Sequence, residues 1–173
     1  LSSGQTLPWA PDTDDDVRVL AAGPRRSELL VGGFQSLLGS PPITSGAFGS
    51  VGSGATNLTA PRFSSATNQR RWPNTLDGLV LDIAATSSEV VAAGAFYNNA
   101  RRRLATASRN LASFDAKTAL GTSWRPDPDI GVWAVTYSRS MHKLVAGGYL
   151  TTAGGHPIPG RIALFSDSAS PLH

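Results

Sequence analysis

Three short stretches of alternating apolar and polar residues recur along the chain. Each begins at a valine eight residues after a tryptophan, in the pairs Trp9 and Val17, Trp72 and Val80, Trp124 and Val132. An alternation of period two predicts a half-buried β-strand, because successive side chains of a strand point to opposite faces. No stretch has the apolar spacing of an amphipathic helix. The pattern therefore predicts an all-β protein.

A second apolar run follows each alternating stretch after a polar turn, and each of these runs ends on glycine. The runs begin at Leu29, Val90 and Leu144 and end at Gly33, Gly94 and Gly148. A third strand is predicted at 62–64, 111–115 and 161–165. Four short strands in every fifty-odd residues are typical of a β-propeller blade, a small sheet that buries its faces against its neighbours. We expect apolar side chains between the blades, namely Val17, Val19, Val80, Ile83, Val135 and the repeated tryptophans.

The spacing divides the chain into three blades, at 1–71, 72–123 and 124–173, with residues 1–8 as the tail of a preceding blade. The first copy is about twelve residues longer than the others. We expect this surplus as a long loop without strands from Ile43 to Thr59, inside a Gly/Ser-rich insertion at 41–60. Closed propellers have roughly four to eight blades. Three blades predict a fragment, or a ring completed by identical chains.

The repeated residues resemble a known family. The pattern Trp-x-Pro, then Val-x-x-Leu-Ala, Leu-x-Val-Gly-Gly and Arg-x-Ala-x-Phe-Asp is similar to the delta-60-type β-propeller repeat, and the stretch from Leu144 to Gly155 matches it best. The resemblance implies a repeat module, of unknown function, in a large secreted or cell-surface bacterial protein. More distantly, the double glycine resembles Kelch repeats. Asp115 to Thr118 followed by Trp124 resembles the tryptophan-docking motif of quinoprotein propellers, with Ala119 where that motif has glycine.

Three functions are compatible with this architecture. The favoured hypothesis is a non-enzymatic scaffold that binds protein or carbohydrate through its loops, outside the cell or on its surface. One alternative is part of a quinoprotein-like or hydrolase propeller enzyme. Another is a small lectin whose chains complete a ring by oligomerisation. No catalytic residue, cofactor or metal is assigned, and the expected partners are other blades of the same or a neighbouring chain.

Composition narrows the alternatives. The net charge is +3, with 15 Lys and Arg, but the arginines form short clusters in predicted turns without a recognition helix or an RNA-type aromatic motif. We therefore predict no nucleic-acid partner. The chain has 0 Cys, which excludes disulfides and thiolate zinc sites. No apolar run is long enough to span a membrane.

A few acidic and histidine residues invite a chemical interpretation. The acidic run 12–16, centred on Asp14, resembles the start of a calcium loop, but it lacks the glycine and glutamate that an EF-hand requires. Asp and Asn recur there in all three copies, which favours a turn. Asp82 is the one acid inside a first strand, where the other copies have Val19 and Ala134, and it is the acid most worth testing. The three histidines lack metal-ligand spacing.

Recognition is expected in the loops. The candidate residues are Asn98, Asn99, Arg101, Arg102 and Arg103. Asn57 begins a glycosylation sequon, which would be used only in a eukaryotic secretory route.

Overall fold

A computed structural model of the chain describes residues 16–25, 28–33, 37–38, 43–44, 48–52, 76–98 and 108–166. Within these ranges the chain forms strands, turns and bends, and no residue is helical. The prediction of an all-β protein is confirmed. Trp9 and Trp72 lie outside the described residues, as does the predicted strand at 62–64.

The strands form three small antiparallel sheets and two short hairpins. In sheet 1, β1 (Val17–Ala22) pairs with β2 (Glu28–Gly33), a hairpin of β3 (Leu37–Leu38) and β4 (Ile43–Thr44) follows, and β5 (Phe48–Gly52) pairs with the other side of β2. Sheet 2 consists of β6 (Leu76–Ala85), β7 (Glu89–Asn98) and β8 (Ser108–Asp115). Sheet 3 consists of β9 (Val132–Ser138), β10 (Lys143–Gly148) and β13 (Ile162–Ser166), and the hairpin of β11 (Thr152–Ala153) and β12 (His156–Pro157) connects its last two strands.

The first two strands of each sheet pair in corresponding registers. The first valine faces the last glycine of the second strand in all three sheets, in the pairs Val17 and Gly33, Val80 and Gly94, Val132 and Gly148. One residue is then skipped, at Arg18, Leu81 and Trp133, which makes a β-bulge at the same place in each first strand. Corresponding positions of the three sheets can therefore be compared residue by residue.

The bulge explains the glycine that faces the first valine in sheets 2 and 3. A Cβ on Gly148 would lie 2.6 Å from the carbonyl oxygen of Gly131, and a Cβ on Gly94 would collide with the carbonyl of Leu79, the corresponding residue of sheet 2. The preceding position has more room, since a Cβ on Gly147 would meet its nearest atom at 3.8 Å. Sheet 2 accordingly has Ala93 there. In sheets 2 and 3 the backbone therefore requires only the second position to be glycine, whereas in sheet 1 a Cβ on the first glycine, Gly32, would lie 2.6 Å from a methyl carbon of Val80 in sheet 2.

The third strand of sheet 1 differs from the prediction. The expectation of a strandless loop from Ile43 to Thr59 is wrong, because β5 pairs with β2 just as β8 pairs with β7. Val51 occupies the place that Phe114 and Phe165 hold in the other sheets. The extra residues of the first copy therefore follow the third strand, since Gly52 and Val80 are 28 positions apart, against 17 from Asp115 to Val132.

The sheets stack face on face. We call the face that carries the first valine the front face, and the opposite one the back face. One apolar cluster joins the back face of sheet 1 to the front face of sheet 2. It includes Val19, Ala21, Leu30, Val80, Ile83, Val90, Ala92 and Phe114. A second cluster joins the back face of sheet 2 to the front face of sheet 3. It includes Ala84, Val91, Ala93, Leu111, Val132, Val135, Leu144 and Phe165. β1 adjoins β6, and β6 adjoins β9.

Five valine or isoleucine residues were predicted to pack between sheets, and four of them are buried or partly buried there. Val80, Ile83 and Val135 are buried and Val19 is partly buried in the first cluster. Val17 is 40 % exposed, so its predicted burial is wrong. Val17 lies on the front face of sheet 1, which no described sheet covers, although Val31 at the centre of that face is 2 % exposed.

The outer edge of sheet 2 carries a rudiment of a fourth strand. The amide of Asp115 donates to the carbonyl of Leu120 at 2.8 Å, and the amide of Thr122 donates to that of Ser113 at 2.9 Å. These bonds flank a single bridge between Phe114 and Gly121. The three sheets otherwise have three strands each within the described ranges, rather than the four predicted.

Trp124 connects sheet 2 to sheet 3. It follows the rudimentary fourth strand, and its ring meets that of Phe165 edge to face, with centroids 5.3 Å apart. Edge-to-face contact of this kind stabilises a pair beyond the area it buries. The side chain is half-buried against the second cluster, so the predicted position of this tryptophan between sheets is confirmed.

Candidate binding surface

Exposed aromatic side chains gather at one edge of sheets 2 and 3, where the second strands end. Tyr97 lies near the end of β7 and pairs directly with Arg109 of β8. The guanidinium carbon of Arg109 lies 5.7 Å from the centroid of the tyrosine ring, within cation–π range. Tyr97 is 64 % exposed, so this ring is available to a ligand.

Sheet 3 carries a second aromatic group at the same edge. Trp133 stands at the bulge of β9, and Tyr149 directly follows β10. Their rings meet edge to face with centroids 5.2 Å apart, and both side chains are 56 % exposed. Arg161 donates from its guanidinium to the carbonyl of Tyr149 at 2.9 Å, and its guanidinium carbon lies 6.0 Å from the tyrosine ring.

Backbone contacts place the two groups on one side of the stack. Gly131, just before β9, lies against Gly94 and Ala95 of β7, because a Cβ built on it would be 3.5 Å from the Gly94 oxygen and from the Ala95 Cβ. The amide of Tyr149 donates to the carbonyl of Gly131 at 3.2 Å. We call Tyr97, Arg109, Trp133, Tyr149 and Arg161 the aromatic–arginine surface.

Two aspartates in the segment before β9 form hydrogen bonds to the backbone next to this surface. Asp129 accepts hydrogen bonds from the amides of Thr151 and Thr152, at 2.8 and 2.9 Å, and from the Thr151 hydroxyl. These hydrogen bonds, with the Thr151 hydroxyl as the largest cause and the two amides next, hold the pKa of this exposed carboxyl well below its ordinary value. Asp127 likewise accepts from the amide of Arg109 at 3.2 Å. The two aspartates fix the backbone that presents Tyr149 and Arg109.

These bonds bear on the choice between a turn and a calcium loop. Asp129 stands three residues before Val132, as Asp14 stands before Val17. Its carboxylate is engaged by local donors, as expected of a turn residue. Asp14 lies outside the described residues, and among the described residues no three His, Asp or Glu side chains group as metal ligands. Asp16 forms an exposed ion pair with Arg18 at 2.7 Å.

Asp82, the acid that stood out in the sequence, links two sheets. One carboxylate oxygen accepts from the amide of Ile83 at 2.9 Å, and the other accepts from the amide of Val135 in β9 at 2.7 Å. Ile83 and Val135 occupy corresponding positions of sheets 2 and 3. The carboxylate therefore joins two equivalent amides of adjacent first strands, which is a structural role.

A depression of about 620 Å³ lies at the other ends of the first strands. The turn 86–88, the end of β9 and Arg139 contribute its polar groups. The Thr86 hydroxyl is already engaged, since it accepts from the amides of Ser88 and Glu89 at 3.3 and 3.0 Å. The other polar side chains that line the depression are those of Ser87, Ser88, Thr136, Tyr137 and Arg139.

The structure describes few of the residues proposed from the sequence. Asn99, Arg101, Arg102, Arg103 and Asn57 are outside the described residues. Asn98 is the last residue of β7, opposite Leu76 and Ser108, at the same edge as the aromatic–arginine surface. His142 and His156 are exposed and distant in sequence, and His173 is outside the described ranges.

Sequence reasoning missed all five residues of the aromatic–arginine surface. One signal was present, because Trp133 stands where the other copies have Arg18 and Leu81. A tryptophan that only one copy carries is not needed for the shared packing.

The Asp115 carboxylate fixes the turn that follows β8. Asp115 accepts from the amides of Lys117 and Thr118 and from the Thr118 hydroxyl, at 3.0, 2.7 and 2.8 Å. The Thr118 hydroxyl is the main cause of a lowered pKa of this carboxyl. Ala119 has a φ of 58°, in the left-handed region that favours glycine.

Comparisons with models of protein families, with curated proteins and with solved structures found no match to this chain. Among the described residues there is also no helix of the length and hydrophobicity needed to cross a bilayer.

Proposed function

We propose that this chain is part of a β-propeller that serves as a binding scaffold and not as an enzyme. The proposal is supported by three sheets of corresponding register that stack in chain order, each front face on the preceding back face. The first strands adjoin one another, as expected of the inner strands of blades around an axis. The delta-60-type resemblance adds that the module belongs to a larger exported or cell-surface protein.

The ligand we propose is a carbohydrate, bound on the aromatic–arginine surface. The observation that carries this proposal is the exposed pair of Trp133 and Tyr149, held rigid by a hydrogen-bonded turn. A sugar ring presents C–H groups that stack on an aromatic face and hydroxyl groups that accept from a guanidinium. Arg109 and Arg161 lie beside the exposed rings and supply such donors.

A glycan array followed by titration calorimetry tests the ligand class. We expect at least one glycan to bind, and Trp133→Ala to weaken its affinity by roughly thirtyfold, because truncating an aromatic hot spot costs about 2 kcal/mol. Met141→Ala is the matched control, since Met141 is also about half exposed but lies in the turn between β9 and β10, at the opposite edge.

Three results would count against the carbohydrate proposal. No glycan binds, or Trp133→Ala and Met141→Ala affect binding equally, or the chain selects peptides on an array and ignores glycans. Turnover of a bound glycan would instead favour the hydrolase alternative.

The same proposal places the module outside the cell or on its surface. Fractionation of cells that produce the full parent protein checks this, and recovery in the cytoplasm would contradict it.

A further inference from the structure

The depression at the ends of the first strands has the size of a ligand site. Its volume of about 620 Å³ lies within the range of about 300–1,000 Å³ that is usual for small-molecule pockets. Apolar residues of all three sheets form part of its wall, and its polar side chains belong to the turn 86–88, to β9 and to the turn that follows β9. An apolar wall with a few polar groups is typical of a site for a small molecule.

The third copy adds polar side chains to this depression at positions where the other copies have alanine. The pairs 21–22 of β1 and 84–85 of β6 are both Ala-Ala, whereas β9 has Thr136 and Tyr137 at the corresponding positions. All of these residues line the depression. Because two of the three described sheets have alanine there, the shared packing does not require a polar residue at either position.

The polar side chains of sheet 3 in the depression are available to a ligand. Thr136, Tyr137 and Arg139 form no side-chain hydrogen bond or ion pair with the part of the chain that the structure describes. Arg139 is exposed, and among the described residues that line the depression it is the only charged one. The depression therefore offers an unpaired guanidinium together with hydroxyl groups.

Asp82 shows how a carboxylate binds along this edge of the stack. Its two oxygens accept from the amides of Ile83 and Val135, at 2.9 and 2.7 Å, which belong to the edge strands β6 and β9. Along an antiparallel strand the amides alternate between pointing to the paired strand and pointing away from it. The next amides that point away from the sheets are therefore those of Ala85 and Tyr137, and both residues line the depression.

We propose that the depression binds a small organic anion, whose carboxylate or phosphate group accepts from the amides of Ala85 and Tyr137 as Asp82 accepts two residues earlier. Arg139 supplies the opposite charge, since a guanidinium binds carboxylate and phosphate groups through paired N–H donors. The negative charge of Asp82 lies next to the site and repels an anion, so binding should depend on Arg139. The site shares no residue with the aromatic–arginine surface, and it depends neither on carbohydrate binding nor on the number of sheets in the whole protein.

Amide NMR spectra of the isotope-labelled chain test the proposal. The chain is titrated at constant ionic strength with citrate, with inorganic phosphate and with glucose, which carries no charge. We expect saturable shifts of the Ala85 and Tyr137 amide signals with at least one of the two anions and none with glucose. Saturation by citrate alone would identify a carboxylate as the preferred group, saturation by phosphate alone would identify a phosphate, and either result supports the site.

Three variants test the role of charge in this binding. Arg139→Gln should weaken the affinity for the anion roughly tenfold, because it replaces a charge-assisted hydrogen bond by a neutral one. Ser87→Glu places a carboxylate in the exposed turn beside the depression and should weaken binding by a similar factor. Arg125→Gln is the matched control, since it removes the same charge from an exposed residue that does not line the depression, and it should leave the affinity unchanged.

Several results would overturn the proposal. Neither anion produces a saturable shift, or glucose produces the same shifts, or Arg125→Gln weakens binding as much as Arg139→Gln. Shifts confined to the amides of Tyr149 and Arg161 would place the anion on the aromatic–arginine surface and would refute the site in the depression as well.

Discussion

Two adjacent glycines of β10 should respond oppositely to the same substitution. In Gly148→Ala the new methyl lies 2.6 Å from the Gly131 oxygen, 2.9 Å from the Trp133 nitrogen and 3.0 Å from the Val132 Cα. All three atoms belong to the backbone at and just before the start of the bulged strand, and backbone atoms cannot rotate away as a side chain can. Overpacking of this kind costs about 1–3 kcal/mol.

Gly147→Ala should be neutral or stabilising. Its methyl would meet only the Arg161 oxygen at 3.8 Å and an Ile162 carbon at 3.9 Å, which are ordinary contacts. Replacing glycine by alanine where the backbone permits it stabilises a protein by about 0.4–1 kcal/mol, because it restricts the unfolded chain. Sheet 2 already has Ala93 at this position.

Urea denaturation followed by circular dichroism measures both free energies of unfolding. We expect them to differ by about 1–4 kcal/mol. In thermal unfolding each 1 kcal/mol corresponds to roughly 2–4 °C for a domain of this size. Equal destabilisation by both substitutions would show that the bulge does not set the glycine requirement. A neutral Gly148→Ala would refute the reasoning outright.

Substitutions at three further residues test the links between sheets and the turn next to the aromatic–arginine surface. Asp82→Ala should lower the free energy of unfolding by about 1.5–3 kcal/mol, because it leaves the Val135 amide without its carboxylate. Asp82→Asn keeps one acceptor and should cost less. Equal losses for the two substitutions would contradict the role of this hydrogen bond. Trp124→Ala should cost about 2–4 kcal/mol in the same urea assay, and an unchanged midpoint would exclude its role between sheets. The carboxyl carbon of Asp129 should titrate by NMR well below the ordinary value of roughly 3.9. Because the pKa of Asp129 is lower in the folded than in the unfolded chain, the carboxylate stabilises the fold fully above the unfolded pKa, and this stabilisation is lost as the pH falls towards the folded pKa. Asp129→Asn should remove this pH dependence of stability. It should also speed hydrogen exchange of the Thr151 and Thr152 amides.

The strands that repeat with clear alternation could be predicted from the sequence. The second-strand glycines could be predicted too, but not which of the two is needed, because that depends on a bulge in the neighbouring strand. The third strand of sheet 1 was hidden by its glycines and serine, which leave no alternation to detect. A signal did exist, since Phe48 and Val51 have the spacing of Leu111 and Phe114.

The candidate surface could not be predicted for a different reason. Tyr97 and Arg109 are 12 residues apart and meet only because β7 and β8 pair across a connection. Trp133 gains its exposure from its place at the bulge. Neither pairing register nor bulge position follows from hydrophobic pattern alone. Asp82 stands out in the sequence, but its partner, the Val135 amide, is 53 residues away and is known only from the stacking of sheets 2 and 3.

The surplus residues of the first copy suggest a place to engineer the molecule. They fall after β5, between one sheet and the next, while the pairing within sheets 1 and 2 keeps the same register. The connection between sheets 1 and 2 is therefore longer than that between sheets 2 and 3, although the strands pair in the same register. Lengthening a connection costs little free energy, about 0.6 kcal/mol for each doubling. A reporter domain or an epitope grafted between residues 53 and 63, well before Trp72, should therefore leave the packing of both sheets unchanged.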